Sequence, residues 1–187
     1  MGGGRGARER ILAAARELFA RQGIGATGVA QLCAEAHVSK RTLYQHFAGK
    51  DELVVAWLDA FATDGERGPE AVLARADLTP RTRLLELYAT LNDGPRPLRG
   101  DPLVNAAAEV GDTGAPAHRV AAEHKRAFER RLVDLSRAAG ARDPELIGRR
   151  LALLYDGAAA EAVLHDSPQP AADAQAMAAA ILRDAID

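Results

Sequence analysis

The chain has 187 residues, 48% hydrophobic and 27% charged, with a net charge of −2, a composition that excludes a disordered protein and fits a globular one. Apolar runs such as Leu53 to Leu58 fall far short of the roughly 18 residues a membrane span needs, and the opening MGGGRGARER has no apolar stretch behind its charges, so it is not read as a secretory signal. The single cysteine, Cys33, rules out an internal disulfide and a Cys-cluster metal site; we expect a soluble cytoplasmic protein that meets no membrane.

Ile11, Ala15, Leu18 and Phe19 recur at helical spacing, which predicts an amphipathic helix over about residues 7–22 ended by Gly23 and Gly25. Val29, Leu32, Cys33 and Ala36 repeat the i, i+3, i+4, i+7 pattern in a short second helix. A tight connection at Ala36-His37-Val38 leads to a third helix in SKRTLYQHF, residues 39–47. The fourth begins near Lys50 and carries Leu53, Val54, Trp57, Leu58 and Phe61. Farther along, Thr79-Pro80, Asp101-Pro102 and Asp143-Pro144 each put a good N-cap before a proline suited to the first helical position. Gly140 reads as a C-terminal cap, and Ser167-Pro168-Gln169-Pro170 as a boundary. Helices are therefore expected near 80–92, 102–110, 116–139, 144–165 and 171–186. No alternating β-branched run competes with them, so the fold class is all-α.

Residues 28–47 have the size and pattern of a helix-turn-helix. On a wheel of about 100° per residue, Leu43 and Phe47 form the inward face of the second of these helices. Arg41 and Gln45 lie diametrically opposite, with Thr42 beside them. Tyr44 and His46 occupy the flanks, Lys40 the first turn, and Ser39 the N-cap. An Arg and a Gln at the centre of an exposed face can reach base edges in a major groove, while the flanking groups suit phosphate oxygens. Charge agrees with this reading. Eight Lys/Arg against three acids leave residues 1–50 at +5 and the rest of the chain at −7, so an anionic partner is expected for the amino-terminal part alone. An ordinary solvated helix with Tyr44 and His46 half-buried is the alternative.

The stretch ARERILAAARELFARQGIGATGVAQLCAEAHVSKRTLYQHFAGKDELVVAWL resembles the DNA-binding domain of the tetracycline-repressor (TetR) family. The likeness covers roughly residues 7–58. It rests on Leu18-Phe19 with the glycine pair, on Val38-Ser39 followed by Thr42-Leu43-Tyr44 and His46-Phe47, and on Lys50 with Leu53. It implies an N-terminal three-helix DNA-binding domain over residues 1–50 and a C-terminal helical domain for effector binding and dimerisation over 51–187. It further implies backbone contacts from Thr27, Tyr44, His46 and Lys50 and groove contacts from Lys40, Arg41, Thr42 and Gln45, with Ser39 at the helix start. Two positions depart from the family pattern, which usually has Gly at His37 and Thr or Ser at Gly28.

The two last helices are rich in alanine, which lets helix axes approach closely or serves only helix propensity. With LALLYDGAAAEAV resembling a dimerisation helix of the family, they are expected to form a homodimer interface, and a two-fold dimer implies a palindromic double-stranded DNA operator. The middle helices hold no P-loop, HExxH or GxSxG motif and no Cys/His ligand set, so no cofactor, metal or catalysis is expected. The family likeness implies a small-molecule pocket there, for which Trp57, Phe61, Leu87, Tyr88, Asn105, Glu109, His124, Phe128 and Tyr155 are the candidates. The competing reading makes the polar members of this set interhelical hydrogen bonds or exposed side chains. The function expected is a ligand-responsive dimeric regulator, a repressor released from its operator by an effector. Small all-α enzymes and DNA-binding proteins without ligand gating are the alternatives.

Overall fold

The structure, a computed structural model, describes residues 4–63, 68–92 and 100–186. Every regular element among them is helical: α1 (Gly4–Gln22), α2 (Val29–Glu35), α3 (Lys40–His46), α4 (Lys50–Ala62), α5 (Gly68–Leu73), α6 (Pro80–Glu86) continued by a 3-10 helix over Leu87–Asn92, α7 (Pro102–Val110), α8 (Pro116–Ala138), α9 (Pro144–His165) and α10 (Gln169–Ile186). The fold is all-α, as expected from the 3.6-residue apolar period. Packing divides the chain into two compact units, Met1–Ala62 with Pro102–Ala122, and Thr63–Asp101 with Glu123–Asp187.

In the first unit α1, α2, α3 and α4 surround Ile11, Leu18, Leu32, Leu43, Leu53 and Leu58, all fully buried. Each such side chain contributes roughly 1.5–3 kcal/mol on burial. Trp57 meets Phe19 edge to face, with ring centroids 5.1 Å apart. Leu103 and Ala106 of α7 and Ala117 and Ala121 of α8 complete this core, so α7 and the first turns of α8, distant in sequence, belong to the same unit as the helix-turn-helix.

In the second unit α9 and α10 pack on α6, the 3-10 helix and α8 around Leu84, Leu132, Leu151, Ala178 and Leu182. The caps at Thr79, Asp143 and Gly140 form as the sequence predicts. The Thr79 hydroxyl accepts from Thr82 N at 3.1 Å, the Asp143 carboxylate accepts from Leu146 N at 3.0 Å, and Gly140, at φ 87°, closes α8. Three details differ from the sequence reading. The segment expected as one helix over 80–92 tightens at Leu87 into 3-10 geometry, which turns both Leu87 and Tyr88 into the core. Helix α5 was not anticipated; six residues are too few for a periodic signal, yet they deliver the fully buried Leu73. Helix α10 starts two residues early, where the Ser167 hydroxyl accepts from Gln169 N at 3.1 Å.

Candidate nucleic-acid interface

Helix α2 opens at Gly28, which is extended and offers no side-chain cap. It closes in a Schellman turn: Val38 N donates to Cys33 O at 3.0 Å across His37, which takes the left-handed conformation at φ 51°. A residue with a Cβ pays roughly 1–2 kcal/mol for that conformation, while glycine pays roughly 0.5–1 kcal/mol in backbone entropy instead. His37 is exposed. His37→Gly is therefore expected to raise stability by roughly 0.5–1 kcal/mol, read as a higher denaturation midpoint; a lower one would mean that the imidazole makes an energetically important contact.

Ser39 then caps α3. Its hydroxyl accepts from Thr42 N at 3.0 Å and lies 2.8 Å from the Thr42 hydroxyl. Leu43 and Phe47 are buried, Thr42 and His46 half-buried, and Lys40, Arg41, Tyr44 and Gln45 exposed, Tyr44 at 51%. Lys50, half-buried, opens α4, whose Glu52 turns back to accept from Ala48 N at 2.6 Å. Among the described residues, Lys40, Arg41, Tyr44, Gln45, His46 and Lys50 make no side-chain hydrogen bond or ion pair. Donors left unused on one exposed face are available to an external acceptor.

Thr27 is a correction. Inferred as a phosphate contact, it is fully buried; its hydroxyl donates to Gly23 O at 2.7 Å and accepts from Gln22 Nε2 at 3.2 Å. Gln22 also exchanges two hydrogen bonds with Gln31, at 2.8 and 3.0 Å. Thr27 thus ties α1 to the start of α2 and has no hydroxyl to spare for DNA.

Several positioning groups carried no sequence signal. Arg10 Nε donates to Ala36 O, the last carbonyl of α2, at 3.1 Å, and the Arg8 guanidinium stands over the Phe47 ring at 5.3 Å. Part of the basic excess of residues 1–50 is therefore spent internally, holding α2 and α3 to α1. The Glu109 carboxylate of α7 accepts from Gly25 N at 2.6 Å. Glu109 is exposed, and Asn105 is half-buried.

The residues expected to line one cavity are distributed over both units. Trp57 belongs to the first core, with Phe61 packed against it. Its indole N–H is buried with no acceptor among the described residues. Leu87, Tyr88, Phe128 and Tyr155 come together in the second core. There the Phe128 and Tyr155 rings are 5.3 Å apart, the Tyr88 hydroxyl donates to Leu151 O at 3.0 Å, and the Tyr155 and Thr90 hydroxyls lie 3.1 Å apart. Burial pushes the Tyr88 phenol well above its ordinary range. Beside them Lys125 stands between Asp101, at 3.1 Å, and Asp156, which it also contacts, with Phe128 beneath it at 5.0 Å. Burial pushes the Asp156 carboxyl up, opposed by Lys125 and reinforced by Asp101. Burial likewise pushes Glu70 up against the opposing charges of Arg131 and His124. No group of three or more potential metal ligands exists among the described residues, and none of their helices is long and apolar enough to cross a membrane.

Residues 11–57 match the bacterial regulatory protein family tetR. The whole chain is similar to solved structures of that kind. A TetR-family transcriptional regulator from Streptomyces coelicolor is 31% identical, with 97% of each chain covered and a TM-score of 0.87. A candidate TetR-type transcriptional regulator from Streptomyces avermitilis is 35% identical, with 87% of this chain and 88% of that one covered and a TM-score of 0.75. NemR of Escherichia coli, in its reduced form, shares the fold at 23% identity, with 94% and 96% covered and a TM-score of 0.80. No curated protein matches the chain.

Proposed function

The chain belongs to the TetR family of DNA-binding transcriptional regulators, and from that premise we propose that it is a dimeric repressor released from a palindromic operator by a small-molecule effector. The observation that carries the reading is the outward face of α3, where Lys40, Arg41, Tyr44 and Gln45 stand exposed with no side-chain partner among the described residues, backed by fully buried Leu43. Contact with DNA is assigned to residues 1–50, and effector binding and dimerisation to 51–187, as functional rather than packing units. Arg41 and Gln45 read bases; Tyr44, His46 and Lys50 hold phosphates. The test is a duplex selected by the protein from a random-sequence pool. Arg41→Ala is expected to lose about 1–3 kcal/mol on that duplex and much less on unselected DNA. Lys50→Ala should weaken both alike and reduce the salt slope by about 1. Equal losses on both duplexes for Arg41→Ala would reduce it to a backbone contact.

Dimerisation is supported by the outward faces of α9 and α10, to which some of their alanines contribute and others do not. Ala159 and Ala162 are buried within the protomer. The outward stripe of α9 is Leu153, Gly157, Ala160 and Leu164, spaced i, i+4, i+7, i+11, and Met177 of α10 joins it across a shallow groove. Leu153 is 73% and Leu164 74% exposed in the protomer, and an aligned apolar stripe of this kind is costly to leave in water. Leu153→Glu is expected to leave the protomer folded and to yield monomers by sedimentation; a persistent dimer would place the interface elsewhere.

Effector binding is proposed for the second unit, where Tyr88, Phe128 and Tyr155 combine apolar surface with a few polar atoms. Trp57 is the only tryptophan of the chain, so its emission is the direct reporter of a ligand. Release follows if the ligand binds more tightly to a protein state in which the two α3 helices no longer match successive major grooves.

A further inference from the structure

The turn between α1 and α2 is held by a residue from far along the chain. Glu109 lies in the last turn of α7, and its carboxylate accepts from the Gly25 N–H at 2.6 Å across 84 residues of sequence. The bond is short and joins residues far apart in sequence. A Cβ at Gly25 would lie 3.4 Å from Glu109 Oε2, in ordinary contact, so the carboxylate sits directly against the turn. Two residues beyond, Thr27 is locked by Gly23 and Gln22, and Gln22 is clasped to Gln31 of α2. Helix α2 itself lacks a side-chain cap at Gly28, so the entry angle of α2 depends on this turn. Arg10 then transmits the placement of α1 to the far end of α2, at Ala36 O.

We infer that Glu109 is a positioning residue for DNA recognition: its bond to Gly25 N fixes the α1–α2 turn, and through it the orientation of α2 and α3 against the duplex. Glu109 touches no base. It acts by reach rather than by charge, since a free carboxylate near a polyanion would only repel it. Helix α7 belongs by packing to the unit that contains the helix-turn-helix, while its chain neighbours before Pro102 and after Ala122 belong to the other unit. The contact is thus carried on the one segment through which the chain of the helical domain enters the reading unit and leaves it again.

The inference rests on the DNA-binding reading, and the experiment separates the two. A duplex is selected by the wild-type protein from a random-sequence pool, and its dissociation constant is measured for three variants. Glu109→Gln keeps an oxygen within reach of Gly25 N and removes the charge; it should bind within about twofold of wild type. Glu109→Asp keeps the charge and loses one methylene of reach; Glu109→Ala loses both. These two should bind about tenfold more weakly, equivalent to about 1.4 kcal/mol, at unchanged melting temperature because Glu109 is exposed. Amide exchange at Gly25 should accelerate in the same two variants and not in Glu109→Gln. Wild-type affinity in Glu109→Asp and Glu109→Ala overturns the inference, as does a loss in Glu109→Gln equal to theirs, which would make the charge the active property. A wild-type protein that selects no duplex overturns the DNA-binding reading and the inference together.

Discussion

Gly148→Ala is expected to cost the helical domain about 3 kcal/mol, the upper end of what overpacking a well-filled core does. Gly148 is buried in the first turns of α9, and a methyl group there would lie 2.4 Å from Val133 Cγ2 and, decisively, 2.6 Å from the Val133 backbone nitrogen and 2.7 Å from its Cα. A side chain could rotate away; a helical backbone cannot, so α8 and α9 would have to separate and give up the contacts of Leu132 and Leu151. The sign is diagnostic. At an open helical position the same substitution gains about 1 kcal/mol from helix propensity. A urea titration showing Gly148→Ala to be more stable than wild type would mean that the two helices are not in backbone contact.

Lys125→Met is expected to cost about 2–3 kcal/mol at neutral pH. Lys125 is the cation between two carboxylates, with side-chain exposures of 22% for Lys125, 12% for Asp101 and 34% for Asp156. Removing one partner of a fully buried pair costs roughly 3–5 kcal/mol, and the residual exposure here discounts that figure. The pH dependence follows in sign. Burial raises the Asp156 carboxyl even with Lys125 beside it, so without the cation the stability it allows is present below about pH 4 and is lost as pH rises through its folded value. The deficit against wild type should therefore be small in acid and grow toward neutrality. In the wild type the Lys125 ammonium is itself raised by its two partners, burial notwithstanding, so its contribution persists through neutral pH and is lost only as pH climbs past about 10.4. Adding Asp156→Asn should recover part of the loss. A deficit that does not change between pH 4 and 7 would locate the effect in the packing of the lysine stem against Phe128 rather than in charge.

How much of this was legible before the structure depends on the range over which each feature is decided. Helices α1 to α4 announce themselves because the apolar positions recur every three to four residues, and the caps at Thr79, Asp143 and Gly140 act within a single turn. The outward order of Arg41 and Gln45 follows from Leu43 and Phe47 by the geometry of one helix alone. Thr27 misled because its type fits a phosphate contact, while its burial is set by the fold of the glycine-rich turn around it. The alanines of α9 and α10 permit close packing wherever they fall; only the placement of α10 decides that Ala159 and Ala162 serve the protomer while Leu153, Leu164 and Met177 face out.

By itself, then, the sequence determined the all-α class, the helix-turn-helix with its outward face, and the starts and stops of the long helices. These are consequences of backbone hydrogen bonding and side-chain period within ten or so residues. Tertiary structure alone decided the pairings: Glu109 with Gly25, Arg10 with Ala36, Lys125 between Asp101 and Asp156, and the backbone of Gly148 against Val133. A carboxylate on a helix carries no mark of which distant amide or ammonium it will meet. That choice is made by how the apolar faces dock, because burial of the cores outweighs any single polar contact by an order of magnitude, and the polar groups pair with whatever the docked helices bring within reach.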